Sequence, residues 1–266
     1  MASEDPSENT AILVVTGTDT GVGKTITTAA LATDYQQHGF EVHVVKLAQT
    51  GEKSSDSAEL GEGDAKTVND LTGIQVHEFA RYDAPLAPLV AAQYEGKKPL
   101  GLLEASRRLA DIARTPLEPG KKQIILIEGS GGALVPLGEE LPVGEDGALD
   151  ESAKPVPWDL LDLAKASSFP LVLTTSLKLG TLNHTQLTVE AMLSRELECV
   201  GLVIGSLPTN DPKEADLAAQ TNLDSFAKGF YGLPLLGLIP QGAGDLSREE
   251  FTEQAPSWFP QIALPQ

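Results

Sequence analysis

The 266 residues are 41% hydrophobic and 21% charged, ordinary for a soluble globular protein and enough for one large α/β core or two small ones. A net charge of −19 repels polyanions over most of the surface, which excludes nucleic acid and an anionic membrane as main partners. The single cysteine excludes an intramolecular disulfide, the acidic and polar residues 1–9 lack the features of a signal peptide, and no apolar run approaches the ~20 residues of a membrane span, so a cytoplasmic place is expected.

In chain order, the β-branched run 11–15 predicts a first strand and residues 26–37 a helix. Between them lies Thr16-Gly17-Thr18-Asp19-Thr20-Gly21-Val22-Gly23-Lys24-Thr25. Strand, glycine-rich loop, Gly-Lys-Thr and helix form the context of a phosphate-binding loop. Its glycines let successive N–H groups point at phosphate oxygens, and the helix adds its positive end. Lys24 is expected on the outer phosphates and the Thr25 hydroxyl on Mg²⁺. The first glycine is displaced by one position, to Gly17, with Thr18 in its usual place.

Residues 42–46 read as a second strand, 65–71 as a short helix and 100–113 as a longer one. Then come a strand at 123–127, a helix at 158–166, a strand at 171–175, a helix at 182–195, a strand at 200–204, a helix at 214–226 and a last strand at 235–239. The strands are nearly continuous apolar runs, as when helices cover both faces of a parallel sheet, and the alternation predicts a doubly wound, mostly parallel α/β fold. Residues 49–63 and 136–157 read as loops; the second is acidic, either a lid or a solvated surface insertion in an otherwise single domain spanning 1–266. The stretch from Ser247 onward has no clear pattern. Cys199 sits in an apolar run and is expected to be an inert thiol.

Ligands of open parallel sheets bind beyond the carboxyl ends of the strands. Lys46 ends the second strand, where it would lie beside the phosphate loop. Glu128 ends a buried strand and precedes Gly129-Ser130-Gly131-Gly132; a carboxylate there suits Mg²⁺, which takes hard oxygen ligands. Asp64 alone reads as a helix N-cap. His184 has no second His or Cys at zinc-ligand spacing and reads as structural.

Together these stretches resemble the dethiobiotin synthetase family, a P-loop NTPase-like group. Residues 17–25 fit its Gly-Thr-Asp-Thr-x-Val-Gly-Lys-Thr loop, Lys46 to Gly51 its Lys-Pro-Val-x-Thr/Ser-Gly segment, and Ile127 to Gly132 its Val-Glu-Gly-Ala-Gly-Gly segment. Lys178 to His184 is similar to Lys-x-Gly-x-x-Asn-His, Pro234 to Pro240 to Pro-Leu-Leu-Gly-x-Ile-Pro, and Tyr82 to Pro88 to a Pro-x-x-Pro substrate loop. The resemblance implies an ATP- and Mg²⁺-dependent ligase of biotin synthesis acting on 7,8-diaminopelargonate and CO₂. It implies that Lys24, Lys46 and Thr20 work on the reacting groups. Thr18, Gly21, Val22, Gly23, Lys24 and Thr25 would hold the nucleotide, with Gly205, Pro208, Pro240 and Gly242 completing that site. Thr20, Lys46, Thr50, Gly129, Gly180, Leu182 and Asn183 would bind the substrate, the last three from the partner subunit of a homodimer. Thr25, Asp64 and Glu128 would arrange Mg²⁺.

Three departures stand out. Leu47 replaces the usual proline and is expected to relax the loop holding Lys46. Gly21 stands where some members have an acidic residue. Gly205 stands where members often have a base-reading asparagine, so nucleotide selectivity is expected to be weak. The rival class is a nucleotide-switch ATPase of the partitioning and division-site type, whose loop carries a signature lysine where this chain has Asp19. An amidoligase of the cobyric-acid type would need a glutamine-hydrolysing cysteine, and Cys199 in a strand-like run does not supply one.

Overall fold

The computed structural model describes residues 9–53, 61–144, 147–208 and 216–260. Residues 1–8, residues 54–60 of the expected loop at 49–63, the acidic Glu145 and Asp146, and the expected helix start at Glu214 lie outside the described residues. In chain order the elements are β1 (Thr10–Gly17), α1 (Lys24–Gln37), β2 (Glu41–Lys46), β3 (Gln49–Thr50), α2 (Asp64–Thr72), β4 (Gln75–Glu78), β5 (Arg81–Tyr82), α3 (Pro88–Glu95) and α4 (Leu102–Ala113). They continue with β6 (Gln123–Glu128), β7 (Gly138–Glu140), β8 (Val156–Trp158), α5 (Leu160–Ser167), β9 (Leu171–Thr175), α6 (Thr181–Ser194), β10 (Cys199–Leu207), α7 (Leu217–Ala227), β11 (Leu235–Pro240) and α8 (Arg248–Gln254), and end in a short 3₁₀ turn.

Seven strands form one sheet in the order β11-β10-β9-β1-β6-β2-β4, every pair parallel. The apolar runs explain why: β6 and β9 are buried at every position, so helices must cover both faces. One face packs Val45, Ile125, Ile127, Leu173 and Ile204 under α4, α5, α6 and α7. The other packs Val15, Val44, Leu126 and Val203 under α1, α2 and α8. The chain winds first to one side of β1, through β2 and β4, and then to the other through β9, β10 and β11. β1 therefore lies at the reversal point, and the loop leaving its carboxyl end opens into the crevice where such sheets bind ligands.

Four features differ from the sequence expectations. Residues 73–99, read without elements, hold β4, β5 and α3. The stretch from Ser247 is ordered: Ser247 and Glu250 form a capping box that starts α8, and Phe251 and Trp258 bury their rings edge to face against α1. The acidic segment 136–157, read as a loop, holds two short strands at its base. β7 and β8 pair antiparallel, Trp158 Nε1 donates to Leu100 O at 2.9 Å, and Glu140 Oε2 accepts from Leu103 N at 2.8 Å, which caps α4. Finally, α6 begins at Thr181 with Gly180 as its N-cap, one residue before the expected start. Cys199 is half-buried, and burial pushes its thiol up to about 11, so it stays protonated and inert.

Candidate active site

The loop between β1 and α1 turns through Gly21 (φ 71°) and Gly23 (φ 98°), left-handed positions that favour glycine. Thr18 N donates to Thr174 O at 3.0 Å, which fixes the loop to β9. Lys24 is the first residue of α1; its ammonium donates to Asp19 O at 2.8 Å across the loop. Burial pushes its pKa below the ordinary lysine value, Glu128 opposes that, and Lys46 adds to it. An ammonium that lacks a carboxylate hydrogen bond is well suited to an incoming phosphate.

Three strand-end or helix-start residues converge beside it. Lys46 ends β2 and Glu128 ends β6 in the same register position, so their side chains meet: Nζ to Oε1 is 2.8 Å, and Nζ also donates to Gly129 O at 2.9 Å. Asp64 opens α2 and places Oδ2 2.5 Å from the same Nζ. Thr25 Oγ1 donates to Glu128 Oε1 at 2.9 Å. Lys46 and Glu128 are 3% and 1% exposed. Burial alone would lower Lys46, but Glu128 and Asp64 override it and raise its pKa. Asp64 is held below the usual carboxylate value: burial opposes this, and Lys46 outweighs burial. The N-cap of α2 is Gly63, so Asp64 does not cap the helix as its sequence position suggested; its carboxylate faces Lys46.

These groups line a cavity of about 800 Å³ together with Thr20, Gly21, Gly23, Thr50 and Gly131. Ile26, Pro85, Leu86, Ala87, Pro88 and Val135 complete the lining. Charged and apolar side chains thus share one cavity. Of the expected residues, Thr20, Gly21, Gly23, Lys24, Thr25, Lys46, Thr50, Asp64 and Glu128 share this cavity. Val22 is buried in the loop, and Gly129 contributes the carbonyl that accepts from Lys46. Gln49 lines the cavity from within the strand-end segment 46–51, where the sequence assigns it no role, and Ile26 and Val135 line it without any sequence signal that marks them. Leu47 does not loosen the Lys46 segment. It is fully buried, and its N–H donates to Glu128 O at 3.2 Å, a bond that proline has no N–H to make.

Gly205, Pro208, Pro240 and Gly242 lie outside the cavity, at the ends of β10 and β11, where Gln241 N donates to Leu207 O at 2.8 Å. Gly205 packs directly on the phosphate loop: a Cβ there would lie 2.1 Å from Val22 O, and one on Gly23 would lie 2.3 Å from Gly205 O. Gly180, Leu182 and Asn183 form the first turn of α6 and its approach; they do not line the cavity. Among the described residues no group of three or more His, Cys, Asp or Glu gathers to hold a metal. The donor set at the cavity is instead two carboxylates that share the Lys46 ammonium and one hydroxyl that donates to Glu128, all hard oxygens. That set suits Mg²⁺, which needs only one or two carboxylates beside phosphate and water oxygens.

A family described as an AAA domain matches residues 11–143 and 159–249. The chain is 39% identical over 243 residues to the ATP-dependent dethiobiotin synthetase BioD of Corynebacterium diphtheriae, covering 91% of this chain and 94% of that one. It is 42% identical over 247 residues to the protein of the same name from Rhodococcus erythropolis, covering 92% and 95%. Among solved structures it is similar to the septum site-determining protein MinD with Mg-ADP from Pyrococcus horikoshii, at TM-score 0.49 and 18% identity, covering 93% and 90%; nothing is carried over from so remote a likeness. Among the described residues no helix is long and apolar enough to cross a membrane.

Proposed function

The chain belongs to the ATP-dependent dethiobiotin synthetase family, and from that premise we propose that it is the ATP-dependent ligase that closes the ureido ring of dethiobiotin from 7,8-diaminopelargonate and CO₂. The observation that carries this reading is the convergence of Lys24, Thr25, Lys46, Asp64 and Glu128 in one cavity that also has apolar lining.

One amine of the diamine adds to CO₂ and loses a proton, giving a carbamate. A carbamate oxygen attacks the γ-phosphorus of ATP, and ADP leaves. The second amine attacks the activated carbonyl, the ring closes, and inorganic phosphate leaves. Phosphoryl transfer asks the protein for positioning and charge stabilisation more than for covalent work. Lys24 and the backbone of residues 18–25 hold the phosphates. Lys46 neutralises the carbamate and the transferring group, and Thr20 and Thr50 orient the substrate. Thr25, Asp64 and Glu128 hold Mg²⁺, which when bound neutralises charge on the phosphate oxygens. Leu86, Ala87 and Val135 offer an apolar surface to the aliphatic chain of the substrate, which fits their place in the lining of the same cavity. Gly205, Pro208, Pro240 and Gly242 face the nucleotide on the far side of the phosphate loop. The substrate carboxylate is bound by Gly180, Leu182 and Asn183 of a second copy in a homodimer.

The test is phosphate release from ATP with Mg²⁺ and bicarbonate, with and without the diamine. Turnover that depends on the diamine is the expected result; steady hydrolysis indifferent to it would favour a nucleotide switch.

A further inference from the structure

Gln49 follows Lys46 by three residues and is 6% exposed. Its side chain makes two hydrogen bonds in opposite directions. Oε1 accepts from Asp64 N at 2.8 Å, and Nε2 donates to Thr50 O at 3.0 Å. The first bond is made across fifteen residues of sequence. It supplies to α2 the N-terminal acceptor that its own neighbours do not, since Gly63 has no side chain to cap with. Gly63 is itself shaped by this contact. Its φ is 132°, and a Cβ there would lie 2.6 Å from both Cδ and Oε1 of Gln49. The backbone of Gln49 is tied in turn: its N–H donates to Ala80 O at 2.9 Å, and β3 pairs with β5.

The geometry points to Gln49 as a positioning residue for the proposed reaction. One amide group sets the place of Asp64, on the metal side of the cavity, and of Thr50, on the substrate side. Gln49 acts through these two neighbours, since both of its polar atoms are engaged by their main chains. The Asp64 main chain begins a helix, so its amide fixes the origin of the carboxylate that reaches Lys46. A side chain that fills the same space without polar atoms frees that origin while keeping the packing.

This inference rests on the proposed function, and its test separates the two. Gln49→Met retains volume and loses both hydrogen bonds. Its Mn²⁺ dissociation constant, measured by electron paramagnetic resonance with ADP present and no diamine, is expected to rise at least about fivefold. Its kcat should fall at least about tenfold with KM for ATP within about twofold of wild type. Gln49→Glu keeps the acceptor for Asp64 N and loses the donor to Thr50 O. It should bind Mn²⁺ no more weakly than wild type, yet raise KM for the diamine at least about fivefold. A Gln49→Met protein with a lower thermal midpoint and unchanged Mn²⁺ affinity would overturn the inference, because a purely structural cap moves only stability. Unchanged diamine KM in Gln49→Glu would overturn it equally if Gln49→Met does not fold. If wild type itself showed no diamine-dependent turnover, the proposed function would fail while the Mn²⁺ comparison still reported on Gln49.

Discussion

The ammonium of Lys46 lies 2.8 Å from Glu128 Oε1, with both side chains buried. Asp64 Oδ2 is 2.5 Å from the same ammonium. A tethered cation is therefore shared by the two carboxylates proposed to hold Mg²⁺, and metal entry is expected to be coupled to release of Lys46 toward the carbamate. Lys46→Met is expected to abolish ring closure yet bind Mn²⁺ at least about tenfold more tightly without nucleotide, a difference of about 1.4 kcal/mol. In chelator the variant should lose about 3–5 kcal/mol of stability, because buried Glu128 is left without its counter-ion. Millimolar Mg²⁺ should return part of that loss by mass action. Paramagnetic resonance titration and thermal unfolding with and without metal measure both effects. Equal Mn²⁺ affinity in the two proteins would show that Lys46 does not compete for the site.

Lys24→Ala should reduce kcat/KM at least about a hundredfold, the scale of removing a preorganised donor to transition-state charge. Its fold should persist. Among the described residues the ammonium donates only to the carbonyl of Asp19 within the same loop, and burial already disfavours the charge. Steady-state kinetics with a thermal midpoint within a few degrees of wild type is the expected pair of results. Near-normal turnover would remove Lys24 from the phosphate site.

At Gly205 the absence of a side chain is imposed by packing. Any Cβ would enter the space of Val22 O at 2.1 Å and approach Gly23 Cα at 3.0 Å. With no amide at this position to read a base, ATP, GTP and CTP should differ in kcat/KM by far less than the ~10⁴–10⁵ available to sites that hydrogen-bond a distinguishing group. Gly205→Asn should not install a preference for adenine. It should weaken all three nucleotides together, because it displaces the loop that holds their common phosphates. A gain in ATP selectivity in Gly205→Asn would refute the packing explanation.

The parts of this protein legible in its sequence are those with a local signal. β1, β6 and β9 are nearly continuous apolar runs, β2 shows its valines on either side of His43, and the Gly-Lys-Thr loop announces itself by composition, as do Lys46 and Glu128 by standing at strand ends. β4 was not legible: Gln-Val-His-Glu is a polar edge strand, held by one neighbour and without a buried pattern of its own. α3 was hidden by its composition, since Leu-Val-Ala-Ala has no amphipathic period and the flanking prolines suggested a loop. Asp64 read as a cap because its partner Lys46 is eighteen residues away. Gln49 stands in the strand-end segment 46–51, but nothing in the sequence singles it out there, because its contact with Asp64 N forms only once α2 has folded back onto β3.

The edge strand β4 also carries a pH-sensitive contact. His77 Nε2 lies 3.3 Å from His43 Nδ1 on β2, and His43 Nε2 is buried without a partner. Burial lowers both histidines from 6.5. His43 and Arg108 push His77 down further, and Glu41 partly opposes the shift at His43. The folded state therefore binds fewer protons than the unfolded state once pH falls below about 6.5, and stability is lost as pH drops through that window toward the depressed values. Each histidine contributes at most about 1.4 kcal/mol per pH unit. The thermal midpoint should fall between pH 7.5 and 5.8, and a His43→Gln, His77→Gln double variant should show a flatter profile. Identical slopes would mean that the pair is not protonated differently in the two states.

The last prediction concerns the turn before α6. Gly180 and Asn183 are exposed, no side chain caps this helix N-terminus, and Leu179 beside it is 90% exposed. None of these residues lines the cavity that holds Lys24 and Lys46. An extended amino acid with its amines at the phosphate loop needs donors for its distant carboxylate, and a helix N-terminus supplies free N–H groups and partial positive charge. If α6 serves that carboxylate, it does so in the site of a second copy. Asn183→Asp discriminates this from a purely structural role. An acidic residue in the first turn should leave the helix as stable or slightly more stable, since it complements the dipole. In a shared site it would instead repel the substrate carboxylate and raise KM for the diamine at least about tenfold, with KM for ATP unchanged. Mixing this variant with Lys24→Ala then tests the sharing directly. Each mixed dimer holds one composite site with both intact halves and one with both defects, so an equal mixture should recover about a quarter of wild-type activity. Confirmed subunit exchange without recovery, or full activity in a stable monomer, would leave the substrate carboxylate to be bound within a single chain.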